Sequence, residues 1–381
     1  MKIAILHEML IKKWGAEKVI SELLNIFPEA DFFTLIYDEK QVWSDFKKEK
    51  IHPQCFSLPS QKIYSLTKKQ RLCLPFMKRS VEKLDFSTYD RVIVSSSWFA
   101  HGLKTWKNTK TIIYYHAPAR YMWDWTHEYR RDIHMTRWIK GYLYGKFMKH
   151  LRMWDYEASQ KNDILLANSS TTQKRLLKYY RRKSTILYPP IETARFAKKL
   201  NSLLNPLPFQ GKWAANYYII LSTLTEFKKL DIAIQAFKDM WDVNLLLIWA
   251  GEYRGTLENI AEWVENIKFA GAQYGDDLVQ LVQHSLGLIF PGEEDFGIVP
   301  IEIMAAWKPV FALQKWGLTE TVLAWKTGEF FQSSEWWDFI KNFKAFHENN
   351  ISWKYSEEDC KQQAQKYDRI IFSEKIKEYI K

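Results

Sequence analysis

Short apolar runs alternate with helix-like stretches almost from end to end of this 381-residue chain, and that alternation most restricts its fold. The runs are Ile3–His7, Phe32–Ile36, Val92–Ser95, Thr111–Tyr115, Ile164–Ala167 and Thr185–Tyr188, then Tyr218–Ser222, Asn244–Ala250, Ile267–Ala270, Leu286–Phe290 and Val310–Leu313. Runs this short and this apolar read as strands buried on both faces, the habit of parallel sheets covered by helices. The pattern predicts an α/β chain of two Rossmann-like, doubly wound domains facing across a cleft. A break follows Tyr188-Pro189-Pro190, and Ala197 to Trp213, with Asn205-Pro206-Leu207-Pro208, lacks periodicity. The expected division is therefore 1–196, a linker 197–215, and 216–356, with one or two helices over 357–381.

Cys55, Cys73 and Cys360 lie far apart without metal-ligand spacing, which argues for a reducing compartment and against a structural zinc site. The start, Met1-Lys2-Ile3-Ala4-Ile5-Leu6-His7, is too short an apolar run for a signal peptide, and no window is apolar over the ~18 residues of a membrane span. The expectation is a cytoplasmic protein, soluble or peripheral on the inner face of the membrane. The net charge of +11 is concentrated, with 18 Lys/Arg against 6 Asp/Glu between Lys104 and Lys183. Such a segment suits anionic lipid, a phosphorylated substrate or nucleic acid. No nucleic-acid recognition module accompanies it, so nucleic acid is the least favoured partner.

The segment most informative about function is Pro291-Gly-Glu-Glu-Asp-Phe-Gly-Ile-Val-Pro-Ile-Glu302. It follows an expected strand and leads into an expected helix, so Glu294 and Glu302 bracket a strand-to-helix turn. Ligands bind there in open α/β sheets, with N–H groups at the helix start available to phosphate. With Ala305-Ala306-x-x-Pro309-Val310 after it, the segment resembles the donor-sugar signature of the retaining, nucleotide-sugar-dependent glycosyltransferases of family 4. Leu187 to Phe196 is similar to that family's interdomain crossover. Tyr114-Tyr115-His116-Ala117-Pro118-Ala119-Arg120-Tyr121-Met122-Trp123-Asp124 resembles the acceptor-side loop of its mannosyltransferase-like branch, which builds bacterial surface polysaccharides.

The resemblance implies the two-domain GT-B architecture, with residues 357–381 packing back on the first domain. It assigns Glu294 to hydroxyls of the donor sugar, Glu302 to the ribose, Lys228 to the diphosphate and His116 to the donor sugar. Backbone N–H groups near Phe296 and Gly297 would meet sugar or phosphate, and Gly15 opens a diphosphate-facing turn near His7 and Glu8. Many family members carry an arginine where this chain has Thr223, which leaves Lys229 as the second cation. There is no Asp-x-Asp, so no essential metal is expected and no cofactor beyond the nucleotide-sugar co-substrate, with GDP-mannose a candidate. The implied reaction moves a hexosyl group, mannosyl on the branch resemblance, to a glycan or lipid-linked acceptor by front-face substitution. A nucleotide-sugar epimerase on the same fold is the alternative.

Residues 137–154 form the best amphipathic segment, with Ile139, Leu143, Phe147, Leu151 and Trp154 on one stripe and Lys140, Lys146 and Lys149 elsewhere. It reads either as a core helix with a basic outer face or as a contact with an anionic membrane surface.

Tryptophan outnumbers glycine, 18 to 14, although glycine normally approaches ~7% of residues, about 27 in this chain. Trp14, Trp307 and Trp316 stand where the resembling family has glycine, and Trp325, Trp249 and Trp263 fit the same description less securely. Some bacterial lineages read UGA as glycine, while a common alternative table reads it as tryptophan. The expectation is that UGA codons account for the excess.

Overall fold

The apolar runs all become strands, and every strand lies parallel to its neighbours. In the computed structural model, residues 1–11, 15–42, 46–124, 126, 138–198, 213 and 216–381 are described. They form two units, Met1–Pro190 with Phe372–Lys381, and Ile191–Ile371. Most of the expected linker, residues 199–212 and 214–215, lies outside the described residues, as does Trp14.

The first unit holds a six-stranded sheet of β1 (Ile3–Leu10), β2 (Asp31–Tyr37), β3 (Arg91–Ser96), β4 (Lys110–Tyr115), β5 (Ile164–Ala167) and β6 (Thr185–Ile186), ordered β2-β1-β3-β4-β5-β6. The order reverses between β1 and β3, which makes the carboxyl ends of those strands the switch point of this sheet. Strands β1, β3 and β4 are buried almost throughout, as two-sided apolar runs must be. Phe372, Ile376 and Ile380, on the helix Arg369–Ile380, join this core, with Phe372 edge-on to Tyr114 at 5.8 Å.

The second unit holds β7 (Tyr217–Leu221), β8 (Asn244–Ile248), β9 (Ile267–Gly271), β10 (Gly287–Phe290), β11 (Val310–Leu313) and β12 (Gly328–Phe331), ordered β12-β11-β10-β7-β8-β9. Counted from β7, this is the Rossmann order, and the reversal falls between β7 and β10. Phe311 and Phe331, on β11 and β12, form one aromatic cluster with Phe237, Phe339, Phe343 and Phe346. Strand β12 has no counterpart among the expected runs. It is a four-residue edge strand, half exposed at Glu329 and Phe330, so little apolar sequence marks it.

The helix Trp138–Gln160 divides the stripe expected over 137–154. Arg137 and the side chains of residues 138–140 lie outside the description. Leu151 and Trp154 are buried in the first core, whereas Leu143 and Phe147 are exposed beside Tyr142 and Met153. Part of the basic excess around this helix is structural. Arg182 donates to the carbonyls of Ser159, Gln160 and Asn162 at the helix end, and Arg152 donates to the Met122 carbonyl and the Thr126 hydroxyl. Among the described residues no helix is long and apolar enough to cross a membrane.

Candidate functional site

In the second unit the loops after β7 and β10 meet at the switch point. After β7 the chain makes a 3₁₀ turn, Glu226–Lys228, before the helix Leu230–Lys238. The two lysines therefore do not open the helix side by side. Lys228 ends the turn, and Lys229, at φ 54°, takes the N-cap position with its side chain exposed. The left-handed Lys229 separates the 3₁₀ turn from the helix.

Lys228 forms an ion pair with Glu294 Oε2, across 66 residues of sequence. Its ammonium also lies 5.4 Å from the Phe227 ring and 5.6 Å from Phe290, a placement that favours a cation. The Lys228 side chain is 12% exposed and Glu294 32% exposed, so the pair is less screened than a surface bridge. Gly292 permits this approach, because a Cβ there would sit 2.9 Å from the Lys228 carbonyl oxygen.

Beyond Glu294 the loop turns into the helix Ile298–Ala305. Gly297 is its N-cap at φ 93°, a conformation that L side chains avoid. The Phe296 ring is buried edge-on against Tyr367 at 5.5 Å, so its side chain anchors the loop. Glu302 lies within the helix and is buried at 6% exposure. A third segment closes on the same loop. Gly317 N–H donates to the Glu294 carbonyl at 3.0 Å, and Lys315 pairs with Glu293 at 3.0 Å. The family resemblance places Trp316 in a phosphate-facing turn, whereas the contacts of Lys315 and Gly317 with the Glu293–Glu294 loop were not legible in the sequence.

In the first unit, β1 runs to Leu10, so His7 and Glu8 lie within the strand rather than after it. Glu8 is buried, and its Oε1 accepts from Ser96 Oγ at 3.2 Å and from the backbone N–H groups of Trp98, Phe99 and Ala100 at 2.5, 2.5 and 3.0 Å. Its work is to tie down the turn after β3. His7 faces the other way into a ladder of side chains. His7 Nε2 lies 3.8 Å from Glu17 Oε1, His7 Nδ1 is 3.0 Å from Ser95 Oγ, and Ser95 Oγ is 2.7 Å from His116 Nε2. Glu17 belongs to the helix Gly15–Ile26, whose first residue is Gly15.

One hydroxyl has one proton, so Ser95 donates to one ring and accepts from the other. Burial, reinforced by His7, lowers the His116 pKa to about 3, so its ring is neutral at physiological pH. Ser95 was missed in the sequence reading, although Ser95-Ser96-Ser97 at the end of an apolar run is the kind of polar ending that could have indicated it.

Residues 208–367 match the family of glycosyl transferases group 1. The chain is 24% identical over 288 residues to the alpha-1,3/1,6-mannosyltransferase ALG2 of Dictyostelium discoideum, covering 65% of this chain and 64% of that protein. The match thus spans somewhat less than two thirds of that relative's length. Among solved structures, Anabaena Alr3699/HepE in complex with UDP superposes with a TM-score of 0.70 at 15% identity, covering 100% of this chain and 99% of that one. WaaG, a glycosyltransferase involved in lipopolysaccharide biosynthesis, superposes with a TM-score of 0.67 at 14% identity, covering 98% of each chain. The fold is accordingly the two-domain GT-B type.

Proposed function

We propose that this chain, whose residues 208–367 match the glycosyl transferases group 1 family, moves a hexosyl group with retention from a nucleotide sugar to a glycan or lipid-linked acceptor. The observation that carries this reading is the Lys228–Glu294 pair at the switch point of the second sheet. A cation held there between two aromatic rings suits a diphosphate, and a carboxylate beside it suits the hydroxyls of the sugar that the diphosphate carries. Glu302 takes the ribose, and the Gly297 turn brings helix-start N–H groups toward the ligand. Gly15 belongs to a diphosphate-facing turn, and Lys229 is the second cation.

In front-face substitution the bond from the sugar C1 to the diphosphate oxygen breaks as a bond from C1 to the acceptor oxygen forms on the same face. The acceptor proton passes to the departing phosphate. Lys228 stabilises the charge that grows on that phosphate, an interaction stronger in the transition state than in the ground state. His116, neutral at physiological pH, takes a hydroxyl of the donor sugar without adding charge. The absence of Asp-x-Asp supports a transfer that needs no metal.

Likeness to a mannosyltransferase supports mannose and GDP-mannose, while the UDP-bound fold relative keeps UDP-sugars among the candidates. The exposed Tyr142, Leu143, Phe147 and Met153, interleaved with Lys146 and Lys149, support contact with an anionic membrane on the cytoplasmic side, where a lipid-linked acceptor resides. The test is a panel of labelled UDP- and GDP-sugars given to enzyme from its own cells, with a lipid extract as acceptor and excess chelator. Label should enter the acceptor lipid and survive the chelator. An epimerised nucleotide sugar made without acceptor would replace this reading with the epimerase. Activity lost to chelator and restored by magnesium would refute the metal-free mechanism.

A further inference from the structure

Nine described residues other than glycine have positive φ, and six of them are tryptophan: Trp249 at 123°, Trp263 at 65°, Trp307 at 66°, Trp316 at 54°, Trp325 at 66° and Trp353 at 57°. With 18 tryptophans in 381 residues, composition would place fewer than one among nine. Asparagine and aspartate are the usual non-glycine occupants of this region, and neither occurs among the nine. A bulky aromatic gains nothing there.

The hydrogen bonds around these residues describe glycine positions. After the helix Ile298–Ala305, Trp307 N–H donates to Met304 O at 2.9 Å and Lys308 N–H to Ile303 O at 3.2 Å. After the helix Trp336–Ile351, Trp353 N–H donates to Asn350 O at 3.1 Å and Lys354 N–H to Asn349 O at 3.0 Å. This paired closure, with the first residue past the C-cap left-handed, is the helix stop for which glycine is the ordinary residue. Trp325 is the third residue of a turn closed by Lys326 N–H to Leu323 O at 3.2 Å, again a glycine place. Trp316 precedes Gly317, where a Cβ would stand 2.3 Å from the Asp295 carbonyl oxygen. Residues 316–317 thus form a turn pressed against the loop that carries Glu294.

Packing follows the same division for some of the tryptophans, whereas Trp249, Trp307 and Trp316 are partly buried. Trp263 is 92% exposed and Trp353 83%, so their indoles are unsupported. Trp98, Trp106, Trp123 and Trp154, none with positive φ, pack in or against the first core, and Trp123 Nε1 donates to Asp155 at 2.7 Å. Trp241, Trp336 and Trp337 are exposed without positive φ and fall in neither class.

We propose that positions 249, 263, 307, 316, 325 and 353 are glycine in the protein as its cells make it, encoded by UGA, while Trp98, Trp106, Trp123 and Trp154 are encoded by UGG. Trp353 joins the positions that sequence reasoning had marked, and backbone conformation selects among the described tryptophans, while Trp14, Trp43 and Trp125 lie outside the described residues. At position 316 the exchange also bears on the donor site, a consequence that rests on the functional reading above. Glycine there removes an indole from the turn that clasps the Glu294 loop.

Four measurements test this. The gene should read UGA at the six positions and UGG at the four, and mass spectrometry of peptides from the source cells should show each of the six residues lighter by an indolylmethyl group. UGG at 307 and 353 overturns the proposal. The six-glycine chain should unfold roughly 10 °C above the tryptophan chain; an equal or lower Tm overturns it as well. Binding of UDP and GDP should improve at least tenfold when only Trp316→Gly is made. A six-glycine chain with UGA codons and a raised Tm that binds neither nucleotide would uphold the glycines and refute the donor-site reading.

Discussion

At Trp263 the backbone argument reduces to one comparison, that of Trp263→Gly with Trp263→Ala. Trp263 lies just beyond the helix Arg254–Ile260, at φ 65° and 92% exposed. Both variants lose the same indole, so contacts cancel and the backbone remains. Alanine keeps the left-handed penalty of ~1–2 kcal/mol, which glycine escapes. Glycine instead loses ~0.5–1 kcal/mol more conformational entropy on folding. The difference favours glycine by about 1 kcal/mol, or roughly 2–4 °C for a unit of this size. Trp337, in the first turn of the helix Trp336–Ile351 and without positive φ, is the control. There glycine should fall below alanine by up to ~1 kcal/mol. The assay is urea or thermal unfolding followed by circular dichroism on all four variants. Alanine matching or exceeding glycine at 263 would refute the reasoning, because no side-chain effect separates the pair.

Lys228→Ala should lower kcat of sugar transfer by about 100-fold or more, since a cation beside the leaving phosphate acts mainly in the transition state, whereas Glu302→Ala should chiefly raise KM; steady-state kinetics on both variants, with nucleotide affinity measured separately, check the division. The low His116 pKa of about 3, caused by burial and by His7, means the unfolded chain binds a proton that the folded chain refuses. That contribution is complete above pH ~6.5 and declines as pH falls toward 3, so His116→Asn should flatten the loss of stability on acidification, read from urea midpoints at each pH. Glu8→Ala should destabilise by about 3 kcal/mol or more, because the N–H groups of Trp98, Phe99 and Ala100 lose a shared buried acceptor; chemical denaturation reads the loss directly.

Several features were already decided by the order of residues. The runs at Ile3, Val92, Thr111, Tyr218, Asn244 and Leu286 could bury both faces only in parallel sheets, and all became strands. The segment from Pro291 to Glu302 marked a strand-to-helix turn, and that turn sits at the switch point of its sheet. Strand β12 escaped notice because an edge strand with half-exposed side chains needs no continuous apolar run.

Other features existed only once distant residues met. Periodicity reports how one segment partitions between water and core; it carries nothing about a partner far along the chain. Nothing in the sequence around Glu8 indicated that its oxygen holds a turn some 90 residues away. Ser95 became the link between two histidines because β1, β3 and β4 lie side by side. Lys228 and Glu294 are joined because the sheet reverses between β7 and β10. The tryptophans show the division most directly. Composition revealed an excess, but φ is set by the hydrogen bonds that close a helix or turn, and only those bonds show which positions exclude a side chain.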